Sequence, residues 1–452
     1  MTSSNASPEP KVGQPSTTVD FLRKPLYAEF DLMWGAPQYT SWIDESLSWK
    51  ETCYLGDWSW LPDMRFTGPD VFRLFSDISV NTMDPFAIGQ SKHIIHCNPD
   101  GKLIGEGILS RIGEQEVAQF GQCVHWTNYQ LRKGGYDVSA EPLEWTNLHL
   151  QGPLSIYVLE RAAGQSVRDA GYMRSTPVTI AGHEVLALRQ GMTGEIGFEL
   201  QAPKEFLAEI SNAILEAGQE YGIRRMGAKV SMLNHLEAAY PTVTLDYLPA
   251  IFDEWSADFR DYLDVQLSDA YGAPAFDLFY KVAGSFDTDD PRDYYRSPVE
   301  FDWAGRIKFD HEFIGREALA EEVANPRRVL RTLVWHADDV LKLWGELFRK
   351  GDPLPDFMDM PRERRGYMYA DQVLADGAPA GVSTSRGYSA YFREMLSLAV
   401  IDVDHSEIGN EVAVVWGNPG TAQREIRAMV ALAPYKENRG RVDLSQLPAT
   451  PA

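Results

Sequence analysis

Between residues 20 and 320 the apolar pattern keeps switching period, from two to about 3.6 and back, and few folds accommodate such a chain. Strand-like stretches such as "KHIIHCN" and "HEVLALRQG" alternate with helical ones such as "PDVFRLFSDIS" and "KEFLAEISNAILEAGQEYG". A strand buries one face and a helix one stripe, so the alternation calls for helices layered on sheets, an α+β or α/β arrangement. The spacing of Phe206, Leu207, Ile210, Ile214 and Leu215 predicts a helix over 204–220, with Gly222 as its stop. A second helix is expected over 313–323, "FIGREALAEEV", and Pro326 in "ANPRR" breaks it, which sets a domain boundary there. From 326 to 452 the chain is β-rich: "RTLVWHA", "LSLAVIDV", "EVAVVWG" and "RAMVALAPY", divided by Gly, Asp and Asn turns, predict a small barrel or sandwich. The stretch "FRKGDPLPDFMDMPRERRGY" has the proline and charge content of a loop excursion within it.

Residues 1–19 are rich in Ser, Thr and Pro and poor in large apolar side chains, so they are expected to form a disordered tail, leaving 20–325 for two α+β lobes. With 42 basic residues against 65 acidic ones the formal charge is -23, which repels phosphate backbones and anionic lipid; neither nucleic acid nor a membrane surface is an expected partner. No apolar run reaches the roughly 18 to 20 residues that span a bilayer, and the chain does not open on a charged-then-apolar leader, so the expected location is the cytoplasm. Cys53, Cys97 and Cys123 are odd in number and far apart, as buried thiols are, and they offer no disulfide framework.

One stretch raises a chemical question. In "GMTGEIGFEL", 191–200, apolar Ile196, Phe198 and Leu200 share one face of a strand, and Gly197 and Glu199 share the other. Taken alone, the ten residues describe either a solvated glutamate on a half-buried strand or a carboxylate with flat space beside it. Other chemistries find little support. His93 and His96 lie three apart on a strand and so point to opposite faces, which excludes a shared metal ion, and no HExxH or Cys cluster occurs. GxGxxG after a strand, GxSxG and GxxxxGK[ST] are all missing.

The same stretch resembles the "GYTGE.G.E" signature of the glycine-cleavage T-protein family, the tetrahydrofolate-dependent aminomethyltransferases. Further blocks follow in the family's order: "LQGPLSIYVLE" at 150–160, "YYRSPVEFDWAGRIKFDHEFIGREAL" at 294–319, then "GNEVAVVWG" and "RAMVALAPY". The resemblance implies an α+β, three-domain cloverleaf around a central folate channel, with a C-terminal β-barrel. It also implies tetrahydrofolate as cofactor. In the family, the glutamate of this block accepts N3–H and the 2-amino group of a reduced pterin as a bidentate pair. By position that residue is Glu199, with Gly197 supplying the flat space and Arg189 and Trp303 beside the cofactor.

Within the family, "LPAIF" (248–252), "IKFDHEFIGR" (307–316) and "LIGEGIL" (103–109) look like the aryl O-demethylases that act on vanillate and syringate. Where T-proteins carry a "DDL" aspartate pair this chain has Gly105 and Glu106, which counts against glycine cleavage and its lipoyl-carrier partner. A non-catalytic folate-binding relative carries a KGCYxGQE-type motif whose cysteine is missing from "RQGMTGEIGFE". No obligatory protein partner is therefore expected.

The branch's substrate-binding arginine is replaced by Gln122 in "FGQCVHW", and a neutral amide cannot compensate a buried carboxylate. Its "FDQTHHM" segment is here "GDWSWLPDM", and the tyrosine closing its "LPAIY" block is Phe252. Trp58, Trp60 and Phe252, with Tyr388 as a further wall, imply a neutral, polycyclic aromatic substrate of methylenedioxyphenyl type, opened to a catechol. O-demethylation of methoxy-aromatics is the alternative. A leaving phenolate, pKa about 10, calls for a donor of similar pKa, and Lys308 is the first candidate, with Tyr295 and Asp57 behind it.

Overall fold

In the computed structural model, residues 36–271, 280–362 and 367–451 are described, and the expected tail, 1–19, lies outside them. The first sheet has six strands in the order Arg224–Arg225, Tyr54–Asp57, Trp145–Gln151, Gly197–Pro203, His183–Leu188 and Ser175–Ile180. Only its first pair is parallel. Phe198 and Leu200 are fully buried and pack with Leu148, Leu150 and, from the helix Leu207–Gly218, Ile210 and Ile214. The helix expected over 204–220 thus consists of this α-helix flanked by single 3-10 turns, and Gly222 ends it at φ 68°. Glu199, on the opposite face, is only 2% exposed, so this strand is covered on both sides and the solvated-glutamate reading fails.

The second sheet is antiparallel, in the order Ser91–Cys97, Leu103–Gly113, Glu116–Phe120, Asp63–Thr67 and Ser139–Pro142. Helices Val71–Ile78, Val124–Arg132 and Ala257–Tyr271 cover it through Leu74, Phe75, Trp126, Phe259 and Leu263. His93 and His96 diverge as their spacing requires: His93 meets Glu106, and His96 Nδ1 donates to Ile78 O at 2.9 Å. Cys53, Cys97 and Cys123 are all buried free thiols. The helix expected over 313–323 begins only at Arg316 and runs to Ala324. Gly315 takes a left-handed φ of 87° before it, where a Cβ would meet Asn98 O, so the chain turns instead of winding.

A closed six-strand barrel completes the chain, in the order Arg328–Trp335, Glu394–Asp402, Ala378–Ser389, Asp371–Ala375, Glu411–Trp416 and Arg424–Ala431. Four of these strands fall on the stretches read as β. The hairpin 371–389 and the helix Ala337–Glu346 were not read from the sequence. Barrel and sheets meet in one apolar cluster that includes Tyr54, Trp58, Ile95, Phe301, Leu330 and Leu398. Among the described residues, no helix is long and apolar enough to cross a membrane.

Candidate active site

Gly56, His149 and Glu199 stand in one row across three strands of the first sheet, Gly56 paired with His149 and His149 with Glu199. A Cβ on Gly56 would run into the ring of Trp58. Glycine therefore lets that indole lie over the strand and stack on His149, with ring centres 4.2 Å apart and planes 11° from parallel. At Gly197, where flat space was expected, a Cβ would stand 2.9 Å from Gln151 Cγ, so the Gln151 side chain fills that space and Gly197 lies outside the lining of the cavity described next.

Gln151 in turn orients the histidine. Its Oε1 accepts from Met192 N at 3.1 Å, and its Nε2 donates to His149 Nδ1 at 3.3 Å, which leaves the imidazole proton on Nε2, 3.6 Å from Glu199 Oε1. Burial holds His149 down at about 3 and pushes Glu199 up to about 7, the latter opposed by a hydrogen bond from Gln190 Nε2. The contact is therefore a neutral imidazole beside a carboxyl poised to ionise near neutral pH.

Over this row opens a cavity of about 310 Å³, largely apolar, walled by Trp58, Trp60, Ile104, Ile108, Trp126 and Phe259. Three of its polar atoms stand out. Asn147 Oδ1, His149 Nε2 and His235 Nε2 are buried and, among the described residues, have no hydrogen-bond partner. Burial holds His235 at about 3, so it too is a neutral imidazole, its Nδ1 2.9 Å from Thr242 Oγ1. A second polar group sits on another wall: Glu106 Oε2 accepts from Tyr240 OH at 3.2 Å and lies 2.7 Å from His93 Nε2. Cys123 reaches the cavity, but burial pushes its thiol far up and keeps it neutral.

Of the residues given a place in the site from the sequence, Glu199, Gln122, Trp58 and Trp60 line this cavity, as do Gly105 and Glu106, which stand where the aspartate pair was sought. The remainder do not. Lys308 is exposed, its Nζ donating to Gly305 O at 3.0 Å, and its place outside the cavity lining removes it as donor to a substrate bound there. Asp57 is exposed and accepts from Ser59 N at 2.9 Å. Tyr295 OH is engaged by Phe252 N at 2.9 Å, and burial raises its pKa. Phe252 stands one layer back, its ring edge-on to Tyr280, which does line the cavity. Arg189 points away from Glu199: Nη1 donates to Ala170 O at 2.8 Å and Nη2 to Val442 O, pinning the C-terminal segment to the first sheet. Trp303 packs edge-on to His93, 4.8 Å between centres, behind the Glu106 wall. Tyr388 lies against Trp42 at 6.2 Å and its N–H donates to Pro361 O.

The sequence reading missed His149, Asn147, Gln190, His235, Tyr240 and Arg362, all of which line the cavity. For Asn147 and His149 a signal existed. They alternate with Leu148 and Leu150 in "NLHLQGP", so they share the face that the buried leucines do not.

Over residues 21–251 the chain matches the family model described as the GCVT N-terminal domain. It is 33% identical over 428 residues to a protein named sesamin methylene transferase from Sinomonas sp., covering 91% of this chain and 93% of that one. A protein named syringate O-demethylase from Sphingobium sp. is 31% identical over 443 residues, covering 92% and 93%. Among solved structures, the glycine cleavage system aminomethyltransferase T from Bartonella henselae aligns with a TM-score of 0.65 at 18% identity, over 93% of this chain and 98% of that one, a likeness of fold.

Proposed function

The chain belongs to the GCVT family, and from that premise we propose that this one-carbon transferase moves the methylene carbon of a neutral methylenedioxyphenyl compound to tetrahydrofolate and releases a catechol. The observation that carries this reading is Glu199. A buried carboxyl balanced at about 7, on the wall of a mostly apolar cavity, becomes a stable carboxylate when a ligand brings N–H donors to it. The N3–H and 2-amino edge of a reduced pterin offers two. Asn147 Oδ1 and His149 Nε2, without partners among the described residues, add an acceptor and a donor nearby, so the residues fit the group.

Tetrahydrofolate, when bound, supplies the amine nucleophile that takes up the carbon. The protein's part is alignment, exclusion of water and protons. Trp58, held flat by Gly56 and His149, and Trp60 offer planar apolar walls to an aromatic substrate, and holding two reactants in attack geometry is worth about 7 to 11 kcal/mol. Gln122 at the wall supports a substrate without a carboxylate. The departing aryl oxygen needs a proton, and Tyr240 replaces Lys308 as its source by turning to it the O–H that Glu106 accepts in the ligand-free chain; burial raises the pKa of this phenol, as it does that of a phenolate leaving in the same cavity.

A second reading, demethylation of a methoxy-aromatic acid, is favoured by Arg362, the sole guanidinium that lines the cavity among the described residues and a suitable partner for a carboxylate. One experiment separates the two. The bridging carbon of a methylenedioxyphenyl lignan is labelled with ¹³C, and the protein is incubated with it and tetrahydrofolate, in parallel with labelled methoxybenzoates. The expected outcome is label in 5,10-methylenetetrahydrofolate and free catechol. Return of the lignan unchanged, with 5-methyltetrahydrofolate formed from the methoxy donors, replaces the first reading by the second.

A further inference from the structure

Lys308, displaced from the cavity, takes part in something else. It lines a separate pocket of about 210 Å³ together with Lys92, Arg306 and Arg441. Three distant segments converge there: the strand Ser91–Cys97, the turn after Trp303, and the C-terminal stretch. Among the described residues, none of the four forms an ion pair. Lys92 Nζ donates to Thr82 O at 2.7 Å and Lys308 Nζ to Gly305 O at 3.0 Å. Arg306 lies 5.7 Å over the ring of Trp303 and Arg441 4.7 Å over that of Tyr172. Asp310 and Asp84 act on Lys92 only from beyond contact, and Lys308 opposes them. Acidic residues outnumber basic ones 65 to 42 in this chain, so four cations gathered around one concavity without a carboxylate among them leave a charge to be met from outside. His93, at the pocket lining, also has a buried Nδ1 with no hydrogen-bond partner among the described residues.

We infer that this pocket binds a small polyanion, a molecule carrying two or more carboxylate or phosphate groups. Each ammonium has donors beyond its single carbonyl bond, and the two guanidinium groups present planar forks that match such oxygens. The anion is either free in solution or the carboxylate-bearing tail of a cofactor held in the neighbouring cavity, whose Glu106 is hydrogen-bonded to His93; only this second source rests on the folate reading.

Calorimetric titration at low ionic strength tests the inference on the full chain, with citrate and inorganic phosphate as free anions, and with tetrahydrofolate bearing one or three γ-glutamyl groups. Saturable binding is expected, weakened about tenfold or more in the double variant Lys308→Gln, Arg441→Gln, whose positions are exposed. Binding of citrate or phosphate with no effect of tail length identifies a free anion. A tail-length advantage that the double variant abolishes identifies the tail. Arg441→Gln alone serves if the double variant does not fold, with a threefold loss or more expected. Absence of binding by every probe, or binding within twofold of the parent in the folded variant, overturns the inference.

Discussion

Glu199→Gln is expected to stabilise the ligand-free protein while nearly abolishing folate binding. The carboxyl ordinarily titrates at 4.5 and in the folded chain at about 7, because burial penalises its charge more than Gln190 offsets it. Between those values the native state holds a proton that the unfolded chain has released, so stability falls as pH rises from 4.5 to 7 and is level above. The penalty amounts to about 3 kcal/mol. Glutamine has the same shape and no charge, so parent and variant should match at pH 4 and differ at pH 8 by up to about 3 kcal/mol in the variant's favour. Binding moves the other way. An amide keeps one acceptor and turns its NH₂ against a ligand donor, a loss of about 3 kcal/mol or about a hundredfold in Kd at pH 8. Denaturant unfolding at both pH values and calorimetric titration with tetrahydrofolate measure the two effects. A variant no more stable than the parent at pH 8 refutes the account of burial, and one that binds folate within a factor of two refutes the assignment of the pterin to Glu199.

Gln122→Arg should improve binding of vanillate-like acids and slow turnover of a neutral aromatic, since its guanidinium has a partner only in the first case; steady-state kinetics on both substrates decide it. Glu106→Gln should lower kcat about a hundredfold with folate affinity within threefold of the parent, because the amide cannot accept from Tyr240 and His93 as the carboxylate does; comparison of kcat with the folate Kd checks this. Arg189→Met should lower thermal stability, by about 2 to 3 kcal/mol for hydrogen bonds from a buried charge, and leave folate Kd unchanged, since that side chain holds Ala170 and Val442.

The alternation of Ile196, Phe198 and Leu200 was enough to determine which face of their strand meets the helix Leu207–Gly218, and the switch from mixed to β-rich periodicity near 326 announced the barrel. These are local patterns, repeating every two or 3.6 residues, and a chain carries them wherever it is read. A sign of the barrel hairpin was present and went unread: Asp376 and Gly377, both at positive φ, form a two-residue Asp-Gly turn between its strands. The small Gly, Ser and Ala side chains around it obscured the strands. By contrast, a block such as "IKFDHEF" assigns Lys308 a place in the chain and says nothing of where its side chain points; the turn after Trp303 carries it to the surface. The cavity is likewise a product of distance in sequence. Tyr240 meets Glu106 across 134 positions, and Trp58 reaches His149 only because register sets Gly56 opposite it. The sequence by itself determined the layers and the glutamate that faces away from the apolar core. Which groups surround that glutamate, and how far burial raises its pKa, was decided by tertiary packing, because desolvation is the sum of neighbours that no local pattern contains.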